Sequence, residues 1–348
     1  MRVAIIAPSV RGAMGQYLEA LSAALSGRIN LSLFVPQHFQ GETGQASVHR
    51  FVTGRNRRDG LMRLLNPVAA FRIWKAVSST KPDVVHLFNG EGYPWSLLWA
   101  RWAEQDGIPL VVTLHDPEPH PGNLWETLNA RLRRHVLKRA RSVHVHSQVF
   151  LEVTKAQGAK EVKVIPHGSL AERFLRYRKE GVEREPLALF LGRLEFYKGL
   201  DILVEAGMRL GGRLRVAIAG PGRLPSDLLK LIRSHPQIFE LHNRYLEDRE
   251  VSELFQRASV CVLPYRQVTQ SSLPLISAAF GVPVVASALG GFLEDVPRVG
   301  GILVLPEDPE ALARGMLEAM QRTPRFPPEL RFSELASEFV AWYAGIRL

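Results

Sequence analysis

Cysteine is nearly absent from this chain of 348 residues: Cys261 is its one thiol, so no disulfide can close within it, which fits a reducing, cytosolic compartment. Cys261 lies in an apolar run, 260–263, and reads as packing. Long hydrophobic runs are lacking too. The longest uncharged stretch, 267–293, is interrupted by Pro274, Pro283 and several glycines, which suits a buried helix followed by a buried strand, not a membrane span. The apolar start, 1–7, stops at Pro8, too short for the apolar core of a signal segment, and reads as a first β-strand. The basic residues show neither a recognised nucleic-acid motif nor an interleaved aromatic platform; nucleic acid is not an expected partner.

What remains is an ordinary globular composition, 46% hydrophobic and 22% charged, long enough for two domains. The net charge of +10 is placed unevenly. Residues 1–170 hold 21 Lys+Arg and 12 Asp+Glu, so nearly all of the surplus belongs to the N-terminal half, which should face something anionic. One basic segment, 50–75, contains Arg55, Arg57 and Arg58 among seven cations, interleaved with Leu61, Leu64, Leu65, Phe71 and Trp74. It reads either as a solvated helix with a core face or as a surface for anionic lipid or a phosphorylated acceptor. A second block, 131–141, has six cations and no acid and is open to the same two readings.

The stretch that organises the chain is 187–201. Its apolar run, 187–191, reads as a buried strand, closed by Gly192, and Gly199 opens a helical pattern with Leu200, Leu203 and Ala206. Arg193 and Lys198 then fall at the C-terminal lip of a strand, where open α/β sheets bind ligands. A forked guanidinium and an ammonium beside a helix N-terminus suit a diphosphate; the alternative is two solvated cations on a loop.

Strand–loop–helix units recur on both sides of it. The first strand leads into a loop flanked by Gly12 and Gly15, then a helix with Tyr17, Leu18, Leu21 and Leu25 on one side; the spacing is not G-x-G-x-x-G, so it is a weak dinucleotide signal. Strands at 83–88 and 110–114 end in polar loops, one holding Asn89 and Glu91, the other His115, Asp116 and His120 among three prolines. The second loop is open to three readings: metal ligands, satisfied turn residues, or contacts to a sugar or acceptor. His144 and His146 alternate with valines and read as ordinary strand residues. The charge-rich stretch 171–186 is the linker candidate. Beyond it come a strand ending in Gly220-Pro221-Gly222, another followed by Tyr245 and Leu246, a polar loop Thr269-Gln270-Ser271-Ser272 before Leu273, and an aromatic amphipathic tail from about Phe332.

The segment 192–201 resembles the G-R-(four residues)-K-G signature of family 4 retaining glycosyltransferases, and 264–286 is similar to their donor-site helix and following strand. Pro166-His167-Gly168 and Gly290-Gly291-Phe292-Leu293-Glu294 resemble two further family segments. The resemblance implies the GT-B fold, two Rossmann-like α/β domains facing across a cleft: 1–170 for the acceptor, 187–325 for the donor, and 326–348 crossing back to the first domain. It implies transfer of a sugar from a nucleotide diphosphate-sugar to a hydroxyl of a glycan, lipid-linked or small-molecule acceptor, with anomeric configuration retained. It makes Arg193, Lys198 and His115 the catalytic candidates. Gly15, Gly192, Gly220, Gly222, Tyr245, Leu246, Thr269, Gln270, Ser271, Ser272 and Leu273 become donor contacts. Asn89, Glu91, Asp116, His120, Arg55, Arg57 and Arg58 become acceptor contacts. No metal or other cofactor is expected, and no D-x-D pair is present. One departure stands out: the family's two glutamates, eight positions apart, fall on Val268 and Ile276. Gln270 or Ser272 could substitute, the donor could carry a less gripped pentose, or the site could have decayed into a binding role; a nucleotide-sugar epimerase is the rival enzyme. The location expected is cytoplasmic, with the basic half at an anionic inner membrane surface.

Overall fold

The computed structural model describes residues 1–10, 12–53, 65–117 and 124–347, for 124–128 and 347 the backbone alone. They form two compact units, Met1–Gly168 with Glu329–Leu348, and Ser169–Pro328. Arg55, Arg57, Arg58 and His120 lie outside the described residues.

The first unit is a seven-stranded parallel sheet: β1 (Arg2–Ile6), β2 (Asn30–Pro36), β3 (Ser47–Phe51), β4 (Val84–Leu87), β5 (Leu110–Thr113), β6 (Ser142–Val145) and β7 (Val162–Val164), in the order β3-β2-β1-β4-β5-β6-β7. β4, β5 and β6 are short and wholly buried, because parallel strands are covered on both faces. The covering helices include α1 (Ala13–Ser26), α2 (Pro67–Ser79), α3 (Pro94–Gln105), α4 (Leu124–Leu137) and α5 (Leu151–Ala156). α2 starts where Asn66 Oδ1 accepts the backbone N–H groups of Val68 and Ala69 and Pro67 takes the first helical position, a favoured N-terminal arrangement. Trp95 and Trp99, one turn apart on α3, are buried against α2 and donate their indole N–H groups to Asn66 O and Ala70 O.

The second unit repeats the plan with six parallel strands: β8 (Leu187–Leu191), β9 (Arg215–Ala219), β10 (Phe239–His242), β11 (Val260–Leu263), β12 (Val284–Ser287) and β13 (Ile302–Val304), ordered β10-β9-β8-β11-β12-β13. Its helices are α6 (Ala171–Leu175), α7 (Leu200–Leu210), α8 (Ser226–Ser234), α9 (Asp248–Arg257), α10 (Leu273–Ala279), α11 (Phe292–Arg298) and α12 (Pro309–Ala319). The strand order reverses between β1 and β4 in one unit and between β8 and β11 in the other. Loops leaving these strands diverge there and leave room for a ligand.

The last helix, α13 (Phe332–Arg347), belongs to the first unit; Trp342 donates to Ser142 Oγ at 3.0 Å and Tyr343 to His86 Nδ1 at 2.8 Å. Residues 171–186, the linker candidate, fall within the bounds of the second unit. Several of their charges are paired, Arg173 with Asp248, Lys179 with Glu253 and Glu185 with Arg257, while Arg184 donates to the carbonyls of Ala258, Phe280 and Gly281. No described helix is long and apolar enough to cross a membrane.

Candidate active site

In the second unit, the turn after β8 is pressed against its neighbours. A Cβ on Gly220 would overlap the carbonyl of Gly192, and one on Gly199, which has φ of 66°, would overlap that of Pro264. Gly222 lies as closely on Leu194. This packing fixes the segment that carries the two cations. Arg193 is largely exposed and donates to Glu195 Oε1 at 2.8 Å and to the Tyr197 hydroxyl at 3.1 Å. Lys198 reaches inward, its Nζ 3.6 Å from the ring centroid of Tyr265 and 5.0 Å from that of Tyr197. Burial, with the nearby Arg193 charge, pushes the Lys198 ammonium down to about 7, opposed by Glu195. The lip thus holds one standing cation, paired with Glu195, and a second that titrates near neutrality.

The polar loop before α10 lies beside this turn. Thr269 is buried, and Ser271 Oγ accepts the backbone N–H of Leu273 at 3.3 Å. Ser272 is the N-cap residue, with no side-chain capping bond. α10 has seven residues, so its dipole is modest. Ile276, 2% exposed, is core, and Val268 turns its carbonyl to Gly290; neither position offers a polar side chain. Gln270 has both ends of its amide buried without a hydrogen bond among the described residues. It packs on Gly291 and faces Asp295, whose carboxyl is raised to about 7 by burial despite Arg298. Tyr245 is 79% exposed and Leu246 lines a separate surface recess with Arg173 and Tyr177.

In the first unit, the loops after β1, β4 and β5 enclose a recess of about 240 Å³ lined by Ser9, Asn89, Glu91, His115, Asp116 and Arg133, among others. Several expected contact groups are already engaged. The Asn89 amide braces the loop after β1, accepting from Ser9 N–H at 3.2 Å and donating to Ser9 O at 2.6 Å. Glu91 is buried against Arg133, 3.3 Å apart, and Arg133 also donates to Asp116 O at 2.9 Å. The Asp116 side chain is exposed. Gly15 makes its close approach to the carbonyl of Val10, a packing reason for glycine there.

His115 is committed as well. Its Nε2 donates to Phe88 O at 3.0 Å, which leaves Nδ1 to accept from His146 Nε2 at 3.0 Å. Both ring nitrogens are taken, so its side chain reaches the recess without a spare donor or acceptor. His144 and His146 are therefore more than strand residues. His144 Nε2 donates to Ile165 O, its Nδ1 accepts from the Thr113 hydroxyl, Thr113 accepts from His86 Nε2, and His86 Nδ1 accepts from Tyr343. The terminal carbonyl fixes every tautomer in this line. With His167 these make five buried histidines, three of them (His115, His146 and His167) against the ring of Tyr17 and two (His86 and His144) against α13. Burial drives all five below the ordinary range, His115 and His144 to about 3 and His167 to about 4. Reading the sequence passed over Arg133, which stood unremarked in a basic block, and Tyr265, which lies in the segment 264–286 and was given no role.

Residues 12–168 match the family model described as glycosyl transferase 4-like domain, and residues 185–322 that described as glycosyl transferases group 1. The chain is 31% identical over 146 residues to a glycogen synthase of Thermus thermophilus, covering 40% of this chain and 33% of that one. It is 29% identical over 262 residues to a D-inositol 3-phosphate glycosyltransferase of Xylanimonas cellulosilytica, covering 66% and 62%. The aligned stretches thus span a third to under two thirds of these relatives' lengths. Among solved structures, Anabaena Alr3699/HepE with UDP and glucose superposes with a TM-score of 0.71 at 18% identity, covering 100% and 97%. The catalytic domain of starch synthase IV from Arabidopsis thaliana, bound to ADP and acarbose, gives 0.73 at 14%, covering 100% and 99%. At such identities the likeness is one of fold, the pair of Rossmann-like units called GT-B. Matched along both halves by these two domain models, the chain carries a glycosyl transferase 4-like domain followed by a glycosyl transferases group 1 domain.

Proposed function

We propose that this protein is a retaining, metal-independent glycosyltransferase that moves a sugar from a nucleoside diphosphate-sugar to an acceptor hydroxyl. The observation that carries the reading is the pair Arg193 and Lys198 on the turn after β8, at the point where strand order reverses. The leaving diphosphate gains negative charge as the glycosidic bond breaks, and fixed cations stabilise that charge most where water is scarce. Arg193 reaches the diphosphate by exchanging Glu195 for phosphate oxygens. Lys198, near the middle of its titration, becomes fully charged as the anion arrives. The departing phosphate accepts the proton of the attacking hydroxyl, so no protein base is assigned. Two of the solved neighbours hold UDP or ADP, which supports a nucleoside diphosphate here.

The acceptor belongs to the first unit's recess. Arg133 is engaged by Glu91 and backbone carbonyls, which favours a neutral, hydroxyl-rich acceptor over a phosphorylated one at that spot. The exposed Val68 and Phe71 of α2, beside Arg72 and Lys75, suit peripheral contact with an anionic membrane by a cytoplasmic enzyme.

Thermal melting with the diphosphates of uridine, adenosine, guanosine and deoxythymidine tests the donor site. A ligand at a hundred times its dissociation constant adds about 2.7 kcal/mol, and the Arg193→Ala/Lys198→Ala variant should lose the shift. Sugar transfer is then followed with the nucleotide-sugar of the base that binds. Nucleotide binding without turnover on any hydroxyl acceptor would favour the reading of a decayed site, to which the missing carboxylates at 268 and 276 point.

A further inference from the structure

Tyr265 follows β11 directly and is 0% exposed. Its ring packs against Phe292 and Phe190, with centroids 5.2 and 6.4 Å away. For filling that space a phenylalanine would serve, and a buried O–H without a partner is costly. Yet the Tyr265 hydroxyl is sealed from solvent and has no hydrogen-bond partner among the described residues.

Its surroundings say what is missing. A Cβ on Gly192 would lie 3.9 Å from the hydroxyl oxygen, so the turn after β8 passes beside it with no side chain in the way. Ser271 faces it from the loop before α10, short of a completed bond. The Lys198 ammonium stands over the same ring at 3.6 Å, close enough for a cation–π attraction that holds the lysine in place. The unpaired donor therefore sits in the corner between the two loops that carry Arg193, Lys198 and the Thr269–Ser272 run. An anionic oxygen is the partner that such a corner lacks.

We infer that Tyr265 is a diphosphate-binding residue: its hydroxyl donates a hydrogen bond to a non-bridging oxygen of the β-phosphate of the donor's diphosphate, while its ring seats the Lys198 ammonium against the same group. The inference rests on the reading of Arg193 and Lys198 as the donor site. It also gives this chain a grip that does not use the absent carboxylates. The contact holds phosphate rather than sugar, ribose or base, so it should act alike on every nucleoside diphosphate the site accepts.

The test is calorimetric titration of the full chain, wild type, Tyr265→Phe and Arg193→Ala/Lys198→Ala, with the four nucleoside diphosphates and their monophosphates. Losing one hydrogen bond to a charged group should weaken the diphosphate by about tenfold in Tyr265→Phe, with monophosphate affinity held within about twofold. The melting temperature of the unliganded variant should be equal or higher, because the unpaired hydroxyl has gone. A packing role would instead lower that temperature. Diphosphate affinity in Tyr265→Phe equal to wild type, or lost only together with stability, overturns the assignment. If the double variant alone loses affinity, the donor site stands and Tyr265 falls; if wild type binds none of the four diphosphates, the donor reading itself falls.

Discussion

Lowering the pH from 7 to 5 should unfold the first unit while the second stays folded. Five histidines, His86, His115, His144, His146 and His167, are buried in it, with Tyr17 and Tyr343 as polar neighbours and Lys163 the cation near His144. His86, His115 and His144 have both ring nitrogens engaged as neutral tautomers, so a proton added to any of these three meets another donor, while the free Nδ1 of His146 is buried with no acceptor beside it among the described residues. Each folded pKa lies below the unfolded value, with burial as the main cause. The unfolded chain therefore binds more protons in this window. Stability is full above pH 6.5 and is lost as pH falls toward the folded values. A histidine with an unfolded pKa near 6.5 and a folded one below about 4 costs roughly 1.9 kcal/mol between pH 7 and 5. His115, His144 and His167 together cost roughly 5.6 kcal/mol, within the range of the whole stability of an ordinary domain, and His86 and His146, lowered by the same burial, add in the same direction. The assay is unusually clean, because Trp74, Trp95, Trp99, Trp102, Trp125 and Trp342, all the tryptophans of the chain, lie within the first unit. Urea unfolding followed by tryptophan fluorescence at a series of pH values gives the loss directly. A fall below about 3 kcal/mol between pH 7 and 5, equivalent to fewer than two of the five histidines, would refute the neutral-cluster argument.

Three further outcomes are expected. Lys198, lowered to about 7, is mostly neutral at pH 8, where a terminal phosphate with a second pKa of about 6 is fully ionised, so binding a nucleoside diphosphate there should take up nearly one proton; calorimetry in buffers of different ionisation enthalpy reads the uptake, and no buffer dependence would exclude Lys198 as the titrating contact. Arg133→Met should remove the buried ion pair with Glu91 and the hydrogen bond to Asp116 O and destabilise the first unit by about 3–5 kcal/mol, measured by the same fluorescence at pH 7.5. Asp295, with its carboxyl raised to about 7, favours the folded state when protonated, so its contribution is present at low pH and is lost as pH rises toward 7. Asp295→Asn should therefore melt higher than wild type at pH 8 and alike at pH 4.5; a lower melting temperature at pH 8 would mean that the ion pair with Arg298 outweighs burial.

Much of this was legible along the chain, because some constraints are local. Apolar runs bounded by glycines mark strands buried on both faces of a parallel sheet, and 187–191 and 260–263 are such strands. The spacing of Arg193, Lys198 and the two glycines is fixed by one turn between β8 and α7, so sequence alone defines it. Other constraints are not local. Residues 171–186 carry the charge pattern of a linker, and that pattern says nothing about which distant carboxylates and carbonyls will meet those charges. Asn89 and Glu91 line the first unit's recess, and only the fold shows that Ser9 and Arg133, 80 and 42 positions away, also meet their polar atoms. The five histidines are spread from 86 to 167, and alternation with valine made two of them look ordinary. Only parallel strands from separate crossovers, closed over by a C-terminal helix, bring them together, and burial then decides their protonation. Tyr265 shows the same division: along the chain it is one residue of the segment 264–286, and only the convergence of two loops on its hydroxyl, with Lys198 above the ring, gives that oxygen a purpose. Sequence determines what each short segment can form; which polar atoms are left wanting a partner is settled when distant segments meet, because hydrogen bonding and desolvation depend on neighbours in space.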